Sequence, residues 1–315
     1  MKPARIASFP SVPSDSFPFW TLNPRNKASI HYRAAALSQY LLRKKEIAIR
    51  EGRDVASDFV YASLFSKEDR HLSKISLWSF LKHASHRPKI ILGLDQSTSK
   101  DEAERHFSNW NIAIIFYTQQ EVASWHNARG NDSLAWFCME HVFGFKLALN
   151  LMLAADSNVF YADSDVLWFG DFYHNFDMIS SYPIKPSLDS GERPFDPSFM
   201  EKMANSLGFD FEKRPHGCAG VCFFASGNQA FEEVRPWVDI LQASGAINRL
   251  SEQTIISGLA KKNASFLPQR LVAMDRSVTH CSHSSTPLKS LGRHYPADMR
   301  TQFWIDAFHQ IILRK

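Results

Sequence analysis

The chain has 315 residues, 44% hydrophobic and 13% aromatic, with 36 Lys/Arg against 32 Asp/Glu for a formal charge of +4. That is enough for one large domain or two small ones with a sizeable core, and it excludes a disordered composition. The charge is too mild for a nucleic-acid binder, and no stretch reaches the roughly 18 apolar residues of a membrane span.

Residues 1–27 are rich in Pro and Ser and read as an arm, with no apolar run of the kind a cleaved leader needs. A cytoplasmic protein is the resulting expectation. Residues 1–57 hold ten Lys/Arg against four Asp/Glu, so a basic N-terminal extension, 1–57, is expected before a main domain at 58–315. Within the extension the pattern is helical from Ala28 to about Gly52, with Ile30, Ala34, Leu37 and Leu41 on one face. The expected use of that face is packing on its own domain. The alternative is a basic amphipathic helix lying on an anionic membrane, a peripheral contact.

Strands and helices then alternate. Phe59–Phe65 predicts a strand, Leu72–His83 a helix, Lys89–Leu94 a strand, Lys100–Ser108 a helix and Ile112–Tyr117 a strand. Ser133–Ala155 predicts one long helix, followed by a strand over Asn158–Ala162. This order implies an α/β fold whose sheet is mostly parallel, with helices on both faces. Residues 170–216, with five prolines, are expected to be irregular, and Gly217–Ala225 to be a strand. Asn228–Leu241, Ser251–Leu259 and a C-terminal segment around Phe303–Ile312 predict helices. Cys138, Cys218, Cys222 and Cys281 read as small buried residues in a reducing compartment; a zinc site of Cys218, Cys222 and His216 has only weak spacing.

The stretch Val159–Phe169 carries Asp163-Ser164-Asp165 directly after an apolar strand. Asp is disfavoured in strands, and an ionised carboxylate is costly to bury unless paired or metal-bound. The i, i+2 spacing puts both carboxylates on one face of an extended chain. Two hard oxygen ligands there suit Mg²⁺ or Mn²⁺, which keep room for substrate phosphates. Open α/β sheets bind ligands at the carboxyl ends of their strands, where this pair falls.

Four further segments, taken with the Asp-x-Asp strand, carry a likeness. The chain resembles the Asp-x-Asp nucleotide-sugar glycosyltransferases with a single GT-A-type domain, above all the retaining galactosyl- and glucosyltransferases. The residues are Lys146 in the helix before the motif, Ala219-Gly220-Val221 in GCAGVCFF, Glu252-Gln253 in LSEQTIIS, and His280 and Lys289 in VTHCSHSSTPLKSL. The resemblance implies a Rossmann-like mixed sheet and transfer of a sugar from a nucleotide-diphosphate donor, a UDP-sugar, with retention. It implies Asp163, Asp165 and His280 on the metal, and Lys146, Gly220 and Lys289 at the donor. It places Gln253 and Glu252 near the anomeric carbon, Ser164 at the ribose, and Ala62 and Ser63 beside the nucleotide. Where the resembling sequences have Arg, Asn and Asp, this chain has Lys146, Cys218 and Glu252.

Two other readings compete. A haloacid-dehalogenase-like phosphatase also uses Asp-x-Asp after an apolar strand, although its motif stands near the start of the domain and is followed by a small pair. A binding protein of the same fold with weak turnover is the second. The acceptor, whether glycan, lipid-linked or protein, has no motif here, and nucleic acid is not expected as a partner.

Overall fold

A computed structural model describes residues 27–47, 49, 56–173, 182–189, 196–207, 215–245, 247–262, 265–274 and 290–313. Two compact units emerge. The smaller contains helix α1 (Lys27–Lys44) and helix α10 (Arg300–Phe308) with the five residues before it, and the larger holds the described residues from Ile47 to His294.

In the larger unit the chain runs β1 (Ala56–Phe65), α2 (Arg70–His83), β2 (Arg87–Leu94), α3 (Lys100–Phe107), β3 (Ile114–Thr118), α4 (Gln119–Asn127), α5 (Asp132–Glu140), α6 (Val142–Ala154) and β4 (Asn158–Ala162). It continues through β5 (Val166–Trp168), β6 (Ile184–Asp189), α7 (Pro197–Leu207), β7 (His216–Phe224), α8 (Gln229–Ser244), α9 (Ser251–Lys262), β8 (Val272–Ala273) and β9 (Gly292–His294). The main sheet has the order β3-β2-β1-β4-β7-β6. β3, β2, β1 and β4 are parallel; β7 runs antiparallel to both β4 and β6. A second, three-stranded sheet has the order β5-β9-β8.

β4 shows how the sheet is covered on both faces. Its side chains alternate, with Val159 and Tyr161 entering one apolar cluster and Phe160 and Ala162 another. The first cluster is completed by Leu147 and Leu151 of α6 and by Val234, Ile255 and Ile256 of α8 and α9. The second takes Leu77 and Phe80 from α2 and Phe107 from α3. A strand buried on both faces needs an unbroken apolar run, which is how β4 reads up to the first carboxylate.

Three expectations are corrected. The long helix over Ser133–Ala155 is two helices, broken at His141, which is extended (φ −149°, ψ 139°) and whose ring accepts the Phe143 amide as an N-cap. Gly144 lets the two helices close: a Cβ there would overlap the Phe137 carbonyl. The stretch 170–216 is not wholly irregular, since it contains β6 and α7. Pro186 is tolerated because β6 is an edge strand whose register shifts between Pro186 and Ser187. Helix α4, absent from the sequence reading, starts at a capping box in which Thr118 and Glu121 satisfy each other's amides.

In the smaller unit α1 packs on α10. It buries Ala35, Ser38 and Leu42 rather than the expected face. Ile30, Leu37 and Leu41 are 54%, 51% and 39% exposed, and Tyr32 and Tyr40 are exposed beside them. The small Ala35 and Ser38 side chains allow close approach of the helices, which propensity alone does not signal. Among the described residues no helix is long and apolar enough to cross a membrane.

Candidate metal and donor site

Helix α6 is apolar on almost every side, yet Lys146 in its second turn is only 2% exposed. Its ammonium lies 3.1 Å from Glu252 Oε2, 3.4 Å from Asp163 Oδ1 and 3.1 Å from the Ala219 carbonyl oxygen. Burial works against this charge, but the Asp163 and Glu252 carboxylates more than offset it and hold the pKa above the ordinary lysine value. Glu252, in the first turn of α9, is equally buried; desolvation pushes its carboxyl up to about 7, and Lys146 pulls it back only in part.

Asp163 follows β4 directly, and its amide still donates to the Gly220 carbonyl of β7, 2.8 Å away. Asp163 shares a face with Tyr161, two residues earlier. The Tyr161 hydroxyl donates to Asp163 Oδ1 at 2.6 Å, and burial followed by the Asp163 charge keeps that phenol protonated. A turn closed from the Val166 amide to the Asp163 carbonyl then carries the chain to Asp165, which is buried, and into β5.

The third group comes from far along the chain. β9 pairs antiparallel with β5, setting His294 opposite Val166. Its Nε2 stands 3.2 Å from Asp165 Oδ1 and 3.8 Å from Asp163 Oδ2. Its Nδ1 lies 3.4 Å from Cys218 Sγ. Burial disfavours the imidazolium, but the Cys218 sulfur and the Asp165 carboxylate outweigh that and raise the pKa. The ring occupies space left by Gly220, where a Cβ would overlap Cε1 and stand 2.6 Å from Nε2 and 2.7 Å from Nδ1.

These residues fit a divalent ion. One ligand atom each from Asp163, Asp165 and His294 lie within 4.8 Å of one another. Neighbouring ligands at about 2.1 Å from an octahedral ion stand about 3 Å apart, so the His294–Asp165 spacing needs almost no adjustment. Among the described residues Asp163 and Glu252 face the Lys146 ammonium and Asp165 faces the His294 ring, and a dication would offset the negative charge that these carboxylates bring together. A mixed N/O set favours Mn²⁺ over Mg²⁺.

Of the residues expected from sequence, the structure gathers Asp163, Asp165, Lys146, Gly220 and Glu252 in one place. Ser164, half-buried, lies between the two carboxylates. Gln253 donates to Asp189 Oδ2 at 3.0 Å. Ala62 is fully buried in the core, and the buried Ser63 hydroxyl donates to the Leu64 carbonyl. His280 and Lys289 lie outside the described residues; among the described residues the histidine that meets both carboxylates is His294. The sequence reading passed over His294, Tyr161 and the contact of Cys218. The local signal for His294, a Gly-Arg-His-Tyr string before a proline, is slight. Cys138, Cys218 and Cys222 are buried free thiols, as expected.

The Gly220 clash yields a direct expectation. Gly220→Ala should displace the His294 ring and weaken Mn²⁺ binding about 10- to 100-fold, at a stability cost of about 1–3 kcal/mol for overpacking. Titration of free Mn²⁺ by electron paramagnetic resonance measures the first effect; affinity equal to the wild type's would show that the ring is not held against Gly220.

No family model matches the sequence, and no curated protein matches it either. Solved structures do. Mouse xyloside xylosyltransferase 1 is similar at 11% identity with a TM-score of 0.52, over 77% of this chain and 99% of that one. The galactosyltransferase LgtC, solved with donor and acceptor sugar analogues, is similar at 12% identity with a TM-score of 0.50, over 81% and 96%. This is the GT-A glycosyltransferase fold. The bifunctional glycosyltransferase WbbM shares it at 13% identity with a TM-score of 0.54, over 84% of this chain. That match covers 51% of WbbM, so this chain spans about half its length. In the GT-A frame of this chain, the Asp163, Asp165 and His294 cluster stands at the carboxyl end of β4, beside the point where the parallel order gives way to antiparallel β7.

Proposed function

We propose that this chain is a glycosyltransferase that moves a sugar from a nucleotide-diphosphate donor, a UDP-sugar, to an acceptor hydroxyl, with a divalent ion and with retention. One observation carries the reading: two carboxylates and an imidazole converge at the carboxyl end of β4, with a buried lysine behind them. Bound there, Mn²⁺ or Mg²⁺ would neutralise the charge that grows on the departing diphosphate. The protein's own groups then have distinct tasks. Asp163, Asp165 and His294 hold the ion. Lys146 fixes Asp163 and adds positive charge where the leaving group gathers negative charge, and Glu252 holds Lys146. We assign Ser164 to a ribose hydroxyl and Gln253, which donates to Asp189, to the reacting sugar; the phosphate contact is assigned to Lys289, which lies outside the described residues.

Purified protein given a panel of nucleotide sugars and Mn²⁺ should release free nucleotide diphosphate. Chelation should abolish the release and added Mn²⁺ restore it. Absence of donor binding and turnover under every metal condition would sink the proposal, and inorganic phosphate released from sugar phosphates would select the phosphatase reading.

An anionic membrane surface is proposed as a second partner, through α1. The support is the exposed Ile30, Leu37, Tyr40 and Leu41 together with Arg33, Arg43, Lys44 and Lys45, in a stretch, 27–45, that contains no Asp or Glu. An apolar stripe flanked by cations suits the headgroup boundary of anionic lipid. The protein should sediment with phosphatidylglycerol-containing vesicles but not with pure phosphatidylcholine vesicles, and Leu37→Asp should reduce that binding at least tenfold. Equal partition to both vesicle types would refute it.

A further inference from the structure

We propose that Cys218 is a positioning residue: its sulfur accepts the Nδ1 hydrogen of His294 and thereby aims Nε2 at Asp163 and Asp165. This rests on the metal reading above and deepens it.

An imidazole can ligate through Nε2 only if that nitrogen keeps its lone pair, so the neutral ring must carry its proton on Nδ1. Metal-binding histidines meet this need by donating the other N–H to an orienting partner, ordinarily a carboxylate, a carbonyl or water. Here the neighbour of Nδ1 is the Cys218 sulfur at 3.4 Å, within the range of a hydrogen bond to sulfur. Both residues are almost fully buried.

The seat is a property of one face of β7. Residues 218 and 220 point the same way from the strand. Cys218 supplies the acceptor, and Gly220 supplies the space that the ring fills. Cys218 is itself fixed. Its backbone carbonyl accepts the Ser187 hydroxyl of β6 at 3.4 Å, and its sulfur touches the Met274 sulfur at 3.9 Å. The thiol is therefore held on a rigid strand rather than on a loop, as an orienting group must be.

The proposal predicts a graded series. Cys218→Ser keeps a short acceptor and should bind Mn²⁺ within about threefold of the wild type, whereas Cys218→Ala removes it and should weaken binding about 10- to 100-fold. Equal Mn²⁺ affinity in the wild type, Cys218→Ser and Cys218→Ala would overturn it. A second readout needs no metal. In ¹H–¹⁵N histidine spectra of the metal-free protein, the His294 Nδ1 proton should show the downfield shift of a hydrogen bond in the wild type, and Cys218→Ala should remove that shift. A wild-type ring with no proton on Nδ1 would overturn the proposal outright. If the wild type binds no Mn²⁺, the metal reading fails, and the metal-free spectra still decide whether the sulfur orients the ring. Should Cys218→Ala fail to fold, Cys218→Val fills the same space without an acceptor and takes its place in both measurements.

Discussion

Asp165→Asn should lower metal-dependent release of nucleotide diphosphate about 1,000-fold, the scale expected when a group stabilising transition-state charge is removed. The change is isosteric and deletes one formal charge from a cluster where, among the described residues, three carboxylates face Lys146 and His294. The metal-free protein should therefore melt close to the wild type. The rise in melting temperature that Mn²⁺ confers on the wild type should be absent, because ligand binding stabilises only through the sites it occupies. The two readouts separate a lost ligand from a damaged fold. Turnover near the wild-type rate with a full Mn²⁺ shift would mean that Asp165 is not part of the site.

The second large effect is on stability. Lys146→Met should destabilise the protein by about 3–5 kcal/mol near pH 8, because it strands the Glu252 carboxylate in the interior. Glu252 can escape by taking a proton, and its pKa in the intact protein is already about 7. Its folded-state pKa thus lies above the unfolded one, so its neutral form contributes stability that is complete below about 4.5 and fades as pH rises through the folded value. Loss of the Lys146 charge raises the folded value further and widens that window. The deficit of Lys146→Met should consequently shrink between pH 8 and pH 5. In Lys146→Met/Glu252→Gln, where no charge is stranded, most of the loss should be recovered. Urea unfolding at the two pH values measures both; a deficit that does not change with pH would show that Glu252 is not the stranded charge.

The α/β alternation, the apolar β4 and the carboxylates at its end were legible because each depends on neighbours in sequence. β4 is buried on both faces and so has an unbroken apolar run; Asp163 then interrupts it in a way that local chemistry cannot excuse. Lys146, Gly220 and Glu252 were legible only by resemblance. Taken singly, a lysine in an apolar helix or a glycine in a strand carries no chemistry. His294 was illegible for a different reason. Its place is set by three residues of β9 pairing with three of β5, a contact too short for any periodicity and too distant for any spacing rule. The direction of β7 was equally hidden, since a fully buried strand reads the same whichever way it runs. On α1 the hydrophobic pattern misled. Burial follows the face with Ala35 and Ser38, where helices can approach closely, and leaves the larger apolar side chains outward.

The pairing of β9 with β5 has a thermodynamic side. Asp165 and His294 are separated by 129 positions (294 − 165), and an ion gripping both would cross-link the chain over that whole interval. Closing a loop of such length costs little more than closing a shorter one, about 0.6 kcal/mol for each doubling, and the free energy of metal binding, present only in the folded chain, would offset that cost. The cation that serves the leaving group would also tie the last strand of the larger unit to its middle. Resistance to denaturant would then rise with free metal by RT ln(1 + [M]/Kd), making the protein's persistence as well as its turnover a function of the metal around it.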